Sequence, residues 1–213
     1  MIKKVIRWII PPIIFIVFNI VRSRTSNPNI LFDGNDKLFK NILSKKETKV
    51  YAEYGCGKST NWVLKNTNTK VIAVDTSLEW VKEVKKRNSE NLKIHYSDCG
   101  EVGAWGAPID FSKCDNFSDY TDFIWKQADK PDVILIDGRF RVCCFLTSLK
   151  HADEGTKILF DDYINRPHYH VVERYVPRMK VDGRQCLFVV PKKSEIDLEQ
   201  LDKDIQAFRY VIN

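Results

Sequence analysis

The stretch Val50 to Thr60, read as VYAEYGCGKST, constrains this chain more than any other. A short apolar run carries a carboxylate, Glu53, and is followed by two glycines one residue apart, Gly55 and Gly57. Residues without Cβ at the end of a strand let the backbone bend sharply and let a ligand approach it closely. Lys58, Ser59 and Thr60 then open a helix, because Ser and Thr are natural N-terminal caps. Two kinds of ligand compete for such a bend. Ala52, four residues, then Gly57-Lys58-Ser59 is close to a phosphate-binding P-loop with alanine as its first glycine. On that reading the chain is a nucleotide phosphotransferase using Lys58 and Ser59, with Asp137 on magnesium. It requires a strand that finishes by Ala52, whereas residues 45–49 are Lys, Lys, Glu, Thr, Lys. It also aims Glu53 into amides meant for phosphate, where a second anion is repelled. Extending the strand to Tyr54 instead assigns Glu53, Gly55 and Gly57 to a cofactor that is not a polyphosphate.

The pattern downstream alternates strand and helix. A lead-in helix spans Asp36 to Ser44, with Leu38, Phe39, Ile42 and Leu43 on one side. Strands are expected at Val50–Tyr54, Lys70–Asp75, Leu92–Tyr96, Asp132–Ile136, Lys157–Phe160 and Leu187–Val190. Helices are expected from Ser59 to about Lys65, from Leu78 to Asn88 and from Arg141 to His151. The run DVILI at 132–136 is apolar on both faces, as a central parallel strand should be. This order predicts an α/β, Rossmann-like doubly wound and mostly parallel sheet with helices on both faces. In such sheets ligands collect outside the carboxyl ends of the strands.

Charge narrows the partners. Of 34 basic residues, five (Lys3, Lys4, Arg7, Arg22, Arg24) lie in residues 1–32, which hold no acid, leaving 29 against 28 acidic ones in the remainder. The body of the chain is therefore nearly neutral, and nucleic acid is not the expected partner. Trp8 to Val21 is uncharged, shorter than the roughly 20 residues of a spanning helix, and Pro11 and Pro12 bar a helix through its front. Residues 1–24 read as a hydrophobic helical anchor, interfacial or barely spanning, flanked by Lys and Arg at the headgroups. Residues 25–48 then form linker and lead-in helix, and 49–213 the folded domain. Cys56, Cys99, Cys114, Cys143, Cys144 and Cys186 show no metal-finger spacing. Reduced, buried cysteines favour a domain on the cytoplasmic side of the membrane.

The acids fall at successive strand ends: Glu53, Asp75, Asp98, Asp137, then Asp161 and Asp162. Asp75 stands 22 residues after Glu53, near the spacing at which a carboxylate accepts both hydroxyls of a ribose. This constellation resembles the class I S-adenosylmethionine-dependent methyltransferases, over about Val50 to Val190. The resemblance implies that Glu53, Gly55 and Gly57 lie against the cofactor's methionine portion, that Asp75 holds its ribose and that Asp98 takes its adenine amino group. Ser59 and Thr60 stand where the third glycine of the loop would sit.

Asp137-Gly138-Arg139 and Phe160-Asp161-Asp162-Tyr163 are similar to paired stretches of the small metal-dependent O-methyltransferases of the macrocin type. That likeness places Asp137, Asp161 and Asp162 around a magnesium ion, with Asp137 and Asp162 in the chemistry. Arg139 replaces the second acid of the first stretch, so a salt-bridged site without metal stays open as an alternative. Past the fifth strand, NRPHYHVVERY packs Arg166, His168, Tyr169 and His170 together. His168 is a candidate proton acceptor for the hydroxyl being methylated, or a helix cap. Trp105 either walls the pocket or packs in the core. The expected acceptor is a saccharide, a lipid-linked glycan or a small natural-product hydroxyl. A catalytically silent, membrane-tethered scaffold is a third reading.

Overall fold

The computed structural model describes Asn27 and residues 29–212. The anchor expected at residues 1–24 lies outside the described residues. Among those described, no helix is long and apolar enough to cross a membrane.

Strands β1 (Val50–Tyr54), β2 (Lys70–Asp75), β3 (Leu92–Tyr96), β4 (Val133–Ile136), β5 (Lys157–Phe160), β6 (Lys180–Asp182) and β7 (Gln185–Val189) form one sheet. Their order is β3-β2-β1-β4-β5-β7-β6. The first five run parallel, and β7 returns antiparallel to β5 with β6 on its outer edge. Crossing direction reverses between β1 and β4, which is where a doubly wound sheet opens a crevice.

Because successive strand side chains point to opposite faces, the apolar runs feed two cores. Tyr51, Val71, Ala73, Val133 and Leu135 pack under helices α1 (Lys37–Leu43) and α2 (Lys58–Asn66). Ala52, Tyr54, Ile72, Val74, Ile134 and Ile136 face the other way, against α4 (Phe117–Asp122), α5 (Arg141–His151) and α6 (Leu198–Phe208). Helix α3 (Leu78–Lys85) packs on β2 and β3. It starts where Ser77 accepts a hydrogen bond from the Trp80 amide. Every residue of α5 from Arg141 to Leu149 is buried. Phe145 lies at its middle with its ring 4.9 Å from that of Phe188, and burying a side chain of that size contributes about 2–3 kcal/mol.

All six expected strands begin and end within two residues of the expected bounds, and β1, β2, β3 and β5 match at both ends. Helix α3 stops at Lys85 rather than Asn88, where amides of Arg87 and Asn88 bond back three residues and Asn88 adopts a left-handed φ of 46°. Strand β6 and helices α4 and α6 are additions. Helix α6 carries a start signal, Asp197 accepting from the Gln200 amide. Cys143 and Cys144 are buried and free, as expected, and so are Cys99 and Cys186.

Candidate active site

The bend after β1 is built against the loop after β4. Gly55 has φ +90°, and a Cβ there would lie 2.7 Å from Gly138 Cα. A Cβ on Gly138 would in turn meet the Tyr120 hydroxyl and the Gly55 amide. Glycine is thus required on both sides of this contact. A Cβ on Gly57 would reach only ordinary contact with the Trp80 ring at 3.9 Å, so this second position is not sterically bound to glycine as Gly55 is. Beneath it, Glu53 is 1% exposed. Its carboxylate accepts from the Ser59 hydroxyl and, at 2.7 Å, from the Thr60 hydroxyl. Thr60 Oγ1 also accepts from the Gly57 amide at 2.9 Å. Burial, opposed by those two hydroxyls, pushes the Glu53 carboxyl up to about 8.

At the end of β2, Asp75 is tied to the same bend. Its Oδ2 accepts from the Cys56 amide at 2.7 Å and its Oδ1 from the Ser77 amide at 2.7 Å. Burial raises its pKa, and these amides oppose the rise. The loop after β3 folds back beside it: the Thr76 hydroxyl donates to the Gly106 carbonyl at 2.5 Å. Asp98, two residues past β3, is 44% exposed and ion-paired with Lys113. The Lys113 ammonium holds its carboxyl below the usual range.

The ends of β4 and β5 carry a different arrangement. Arg141 enters α5 buried and donates to the carbonyls of Gly138 (2.9 Å), Asp161 (2.7 Å) and Asp137 (3.0 Å), and to Asp137 Oδ1 (3.0 Å). Asp161, wholly buried, is met by Arg184 at 2.7 Å and by the Gln185 amide at 3.0 Å. Asp162, at φ +56°, is met by Arg166 at 2.8 Å, with Arg184 at 3.4 Å. Burial, then the Asp161 charge, pushes the Asp137 carboxyl well above the ordinary range.

No protein-family model matches the chain, and no curated protein does. Solved structures do. A methyltransferase-like protein from Silicibacter pomeroyi is 30% identical, covering 79% of this chain and 94% of its own, with a TM-score of 0.66. The chain belongs to the methyltransferase family. Two more distant structures share its fold. The N-methyltransferase NodS from Bradyrhizobium japonicum, solved with S-adenosyl-L-homocysteine, is 12% identical over 82% of this chain and 97% of its own, at a TM-score of 0.50. A methyltransferase from Geobacter sulfurreducens is 12% identical over 90% of this chain and 97% of its own, also at 0.50.

In this methyltransferase Glu53, Gly55, Gly57 and Asp75 come together at one bend, and Asp137, Asp161 and Asp162 at the next pair of strand ends. The P-loop alternative fails on β1, which runs through Glu53 to Tyr54. Ser59, which that reading uses alongside Lys58, donates to Glu53 instead. Magnesium does not fit the acceptor side. Oxygens of Asp137, Asp161 and Asp162 lie within 4.8 Å of one another, but Arg141, Arg184 and Arg166 each hold one of these carboxylates. A dication would meet a cluster already neutralised, beside three guanidinium groups. Of the two readings the sequence left open, the salt-bridged one matches these side-chain contacts.

His168 does not join this cluster; its ring is exposed and lies edge-on to Tyr169, 4.4 Å between centroids. His170 is engaged elsewhere, within 3.1 Å of the Tyr163 carbonyl and of Arg178. Trp105, expected in the core or the pocket wall, is 56% exposed, because it sits at the turn of the β3 loop at φ 61°. The residues that sequence reasoning missed are Arg141, Arg184 and Tyr120. Arginine at a helix start gives no sequence signal of an acidic partner, and Arg184 meets Asp161 only through the antiparallel return of β7.

Proposed function

We propose that this chain is an S-adenosylmethionine-dependent O-methyltransferase acting without a metal ion. The observation that carries the reading is the Asp75 carboxylate, fixed over the glycine bend by the Cys56 amide at 2.7 Å. Each of its oxygens accepts one backbone N–H and keeps a lone pair for a ribose hydroxyl, the role an acid at this strand end takes in nucleoside sites. Glu53 supports the bend from below by locking Ser59 and Thr60 at the first turn of α2. When bound, S-adenosylmethionine would supply an electrophilic methyl group on a sulfonium.

Asp137 is the group best placed to take the acceptor's proton. It stands beside Gly138, which touches the bend, and it is half-buried. Its raised pKa brings it nearer to neutrality, where a general base works best. Arg141 and Arg184 hold Asp161 and Asp162 in place and keep the pocket from accumulating uncompensated charge. A hydroxyl acceptor from the saccharide, lipid-linked or natural-product classes suits a base of this kind, and an anchor at residues 1–24 would bring the domain to a membrane surface.

Calorimetry with S-adenosylhomocysteine tests the reading. Micromolar binding is expected for the wild type, weakened roughly 10- to 100-fold by Asp75→Ala, the cost of a charged hydrogen-bonding partner. A wild type that binds none, or an Asp75→Ala variant that binds as tightly, ends the proposal.

A further inference from the structure

Arg139 is the arginine in this region that the site described above does not use. Unlike Arg141, Arg166 and Arg184, it is in no ion pair among the described residues. Its Nε is buried without a hydrogen-bond partner. Its backbone is fixed on three counts. The amide donates to the Tyr120 hydroxyl at 3.1 Å, the carbonyl accepts from the Cys144 thiol at 3.4 Å, and the preceding Gly138 is wedged against Gly55. The residue therefore roots beside the glycine bend. Its charge is felt by Asp75 at the end of β2 and it feels Asp137 at the end of β4. Since β1 lies between β2 and β4, and Gly138 is packed on Gly55, the residue is rooted at the tip of β1.

A half-buried guanidinium whose Nε is out of water without a partner is costly, and an arriving anion of matching shape recovers that cost. We propose that Arg139 pairs with the α-carboxylate of the cofactor's amino-acid tail. This rests on the reading of the site as one for S-adenosylmethionine, whose tail lies over the bend after β1 when Asp75 holds the ribose. Neither Asp75 nor Asp137 pairs with Arg139: the first accepts from two backbone amides and the second from Arg141. The pairing also serves the chemistry. A bare guanidinium here would repel the sulfonium, and one bound to a carboxylate does not.

Two ligands separate the tail from the nucleoside: S-adenosylhomocysteine, and methylthioadenosine, which keeps the nucleoside thioether and lacks the amino acid. Arg139→Met is expected to weaken S-adenosylhomocysteine roughly 10- to 100-fold and to leave methylthioadenosine within about twofold. Arg139→Lys, which keeps the charge and loses the fork, should fall between wild type and Arg139→Met on the first ligand alone. An equal loss on both ligands would mean that Arg139 merely shapes the pocket, and would overturn the assignment. Unchanged S-adenosylhomocysteine affinity would overturn it too, leaving the guanidinium for an anionic acceptor. Should Arg139→Met fail to fold, the same two outcomes are read from Arg139→Lys. A wild type that binds neither ligand defeats the cofactor reading itself, which is a separate result.

Discussion

Glu53 and Asp161 are both buried carboxylates at the carboxyl side of one sheet, yet they are satisfied by opposite means. Glu53 is held by two hydroxyls six and seven residues ahead in the chain, with no ion pair among the described residues. Asp161 is held by Arg184 and Gln185, brought back by the antiparallel strand β7. The same split runs across the site. At β1 and β2 the acids take neutral donors, amides and hydroxyls, from adjacent loops. At β4 and β5 they take guanidinium groups. Neutral donors leave a carboxylate with spare acceptor capacity for a ligand's hydroxyls, whereas guanidinium groups spend that capacity on rigidity. One wing is arranged to bind and the other to hold a geometry.

Breaking the charged wing should have the largest effect. Arg184→Met leaves Asp161 buried with only the Gln185 amide, at an expected cost of about 3–5 kcal/mol in urea unfolding. Adding Asp161→Asn should return part of that loss, because the stranded charge is then gone. A single-variant cost below about 1 kcal/mol would show that Arg184 is screened by solvent and that the wings do not differ as argued.

On the neutral wing the corresponding experiment is one of pH. The Glu53 carboxyl is raised from an ordinary 4.5 to about 8, so the folded state binds this proton more tightly than the unfolded one. Its stabilising contribution is complete below about pH 4.5 and is lost as pH rises through about 8. Glu53→Gln, which cannot ionise, should match the wild type near the acid end and exceed it at the alkaline end, by up to roughly 5 kcal/mol. A difference between the two that stays flat across that window would refute the buried, unpaired state of Glu53.

The same contrast explains what the sequence disclosed. Strands β1, β2 and β5 were legible because VYAEY, KVIAVD and KILF are apolar runs bounded by polar turns, a local signal. Asp75 and the glycine bend were legible because spacing along one β-α-β unit fixes them. The acid cluster was legible as a cluster and its state was not: whether three carboxylates gather a cation or arginines depends on residues such as Arg184, joined through β7. Trp105 illustrates the same limit, since its exposure follows from the turn at φ 61° and from nothing in its neighbours' polarity.

Where the wings touch, Gly138→Ala tests whether they are packed as one unit. The added methyl would meet the Tyr120 hydroxyl and the Gly55 backbone, costing about 1–3 kcal/mol. Gly57→Ala, whose methyl would only touch the Trp80 ring at ordinary contact distance, should cost less in the same unfolding assay. The reverse ranking would place the contact between the two bends elsewhere.

The smallest effect is expected at the rim. Asp98 and Lys113 are each nearly half exposed, so their pairing is screened, and Lys113→Ala should change stability by no more than about 0.5 kcal/mol. Asp98 is nevertheless held below the ordinary carboxylate range, first by Lys113. Its contribution is therefore present at neutral pH and lost as pH falls through its own pKa. Carboxyl NMR of Lys113→Ala should show that pKa moving back up. A pair this weak can open for an arriving adenine amino group, so S-adenosylhomocysteine affinity should shift by no more than about threefold. A loss of the size expected for Asp75→Ala would mean instead that Lys113 touches the ligand, and that the neutral wing recruits a cation after all.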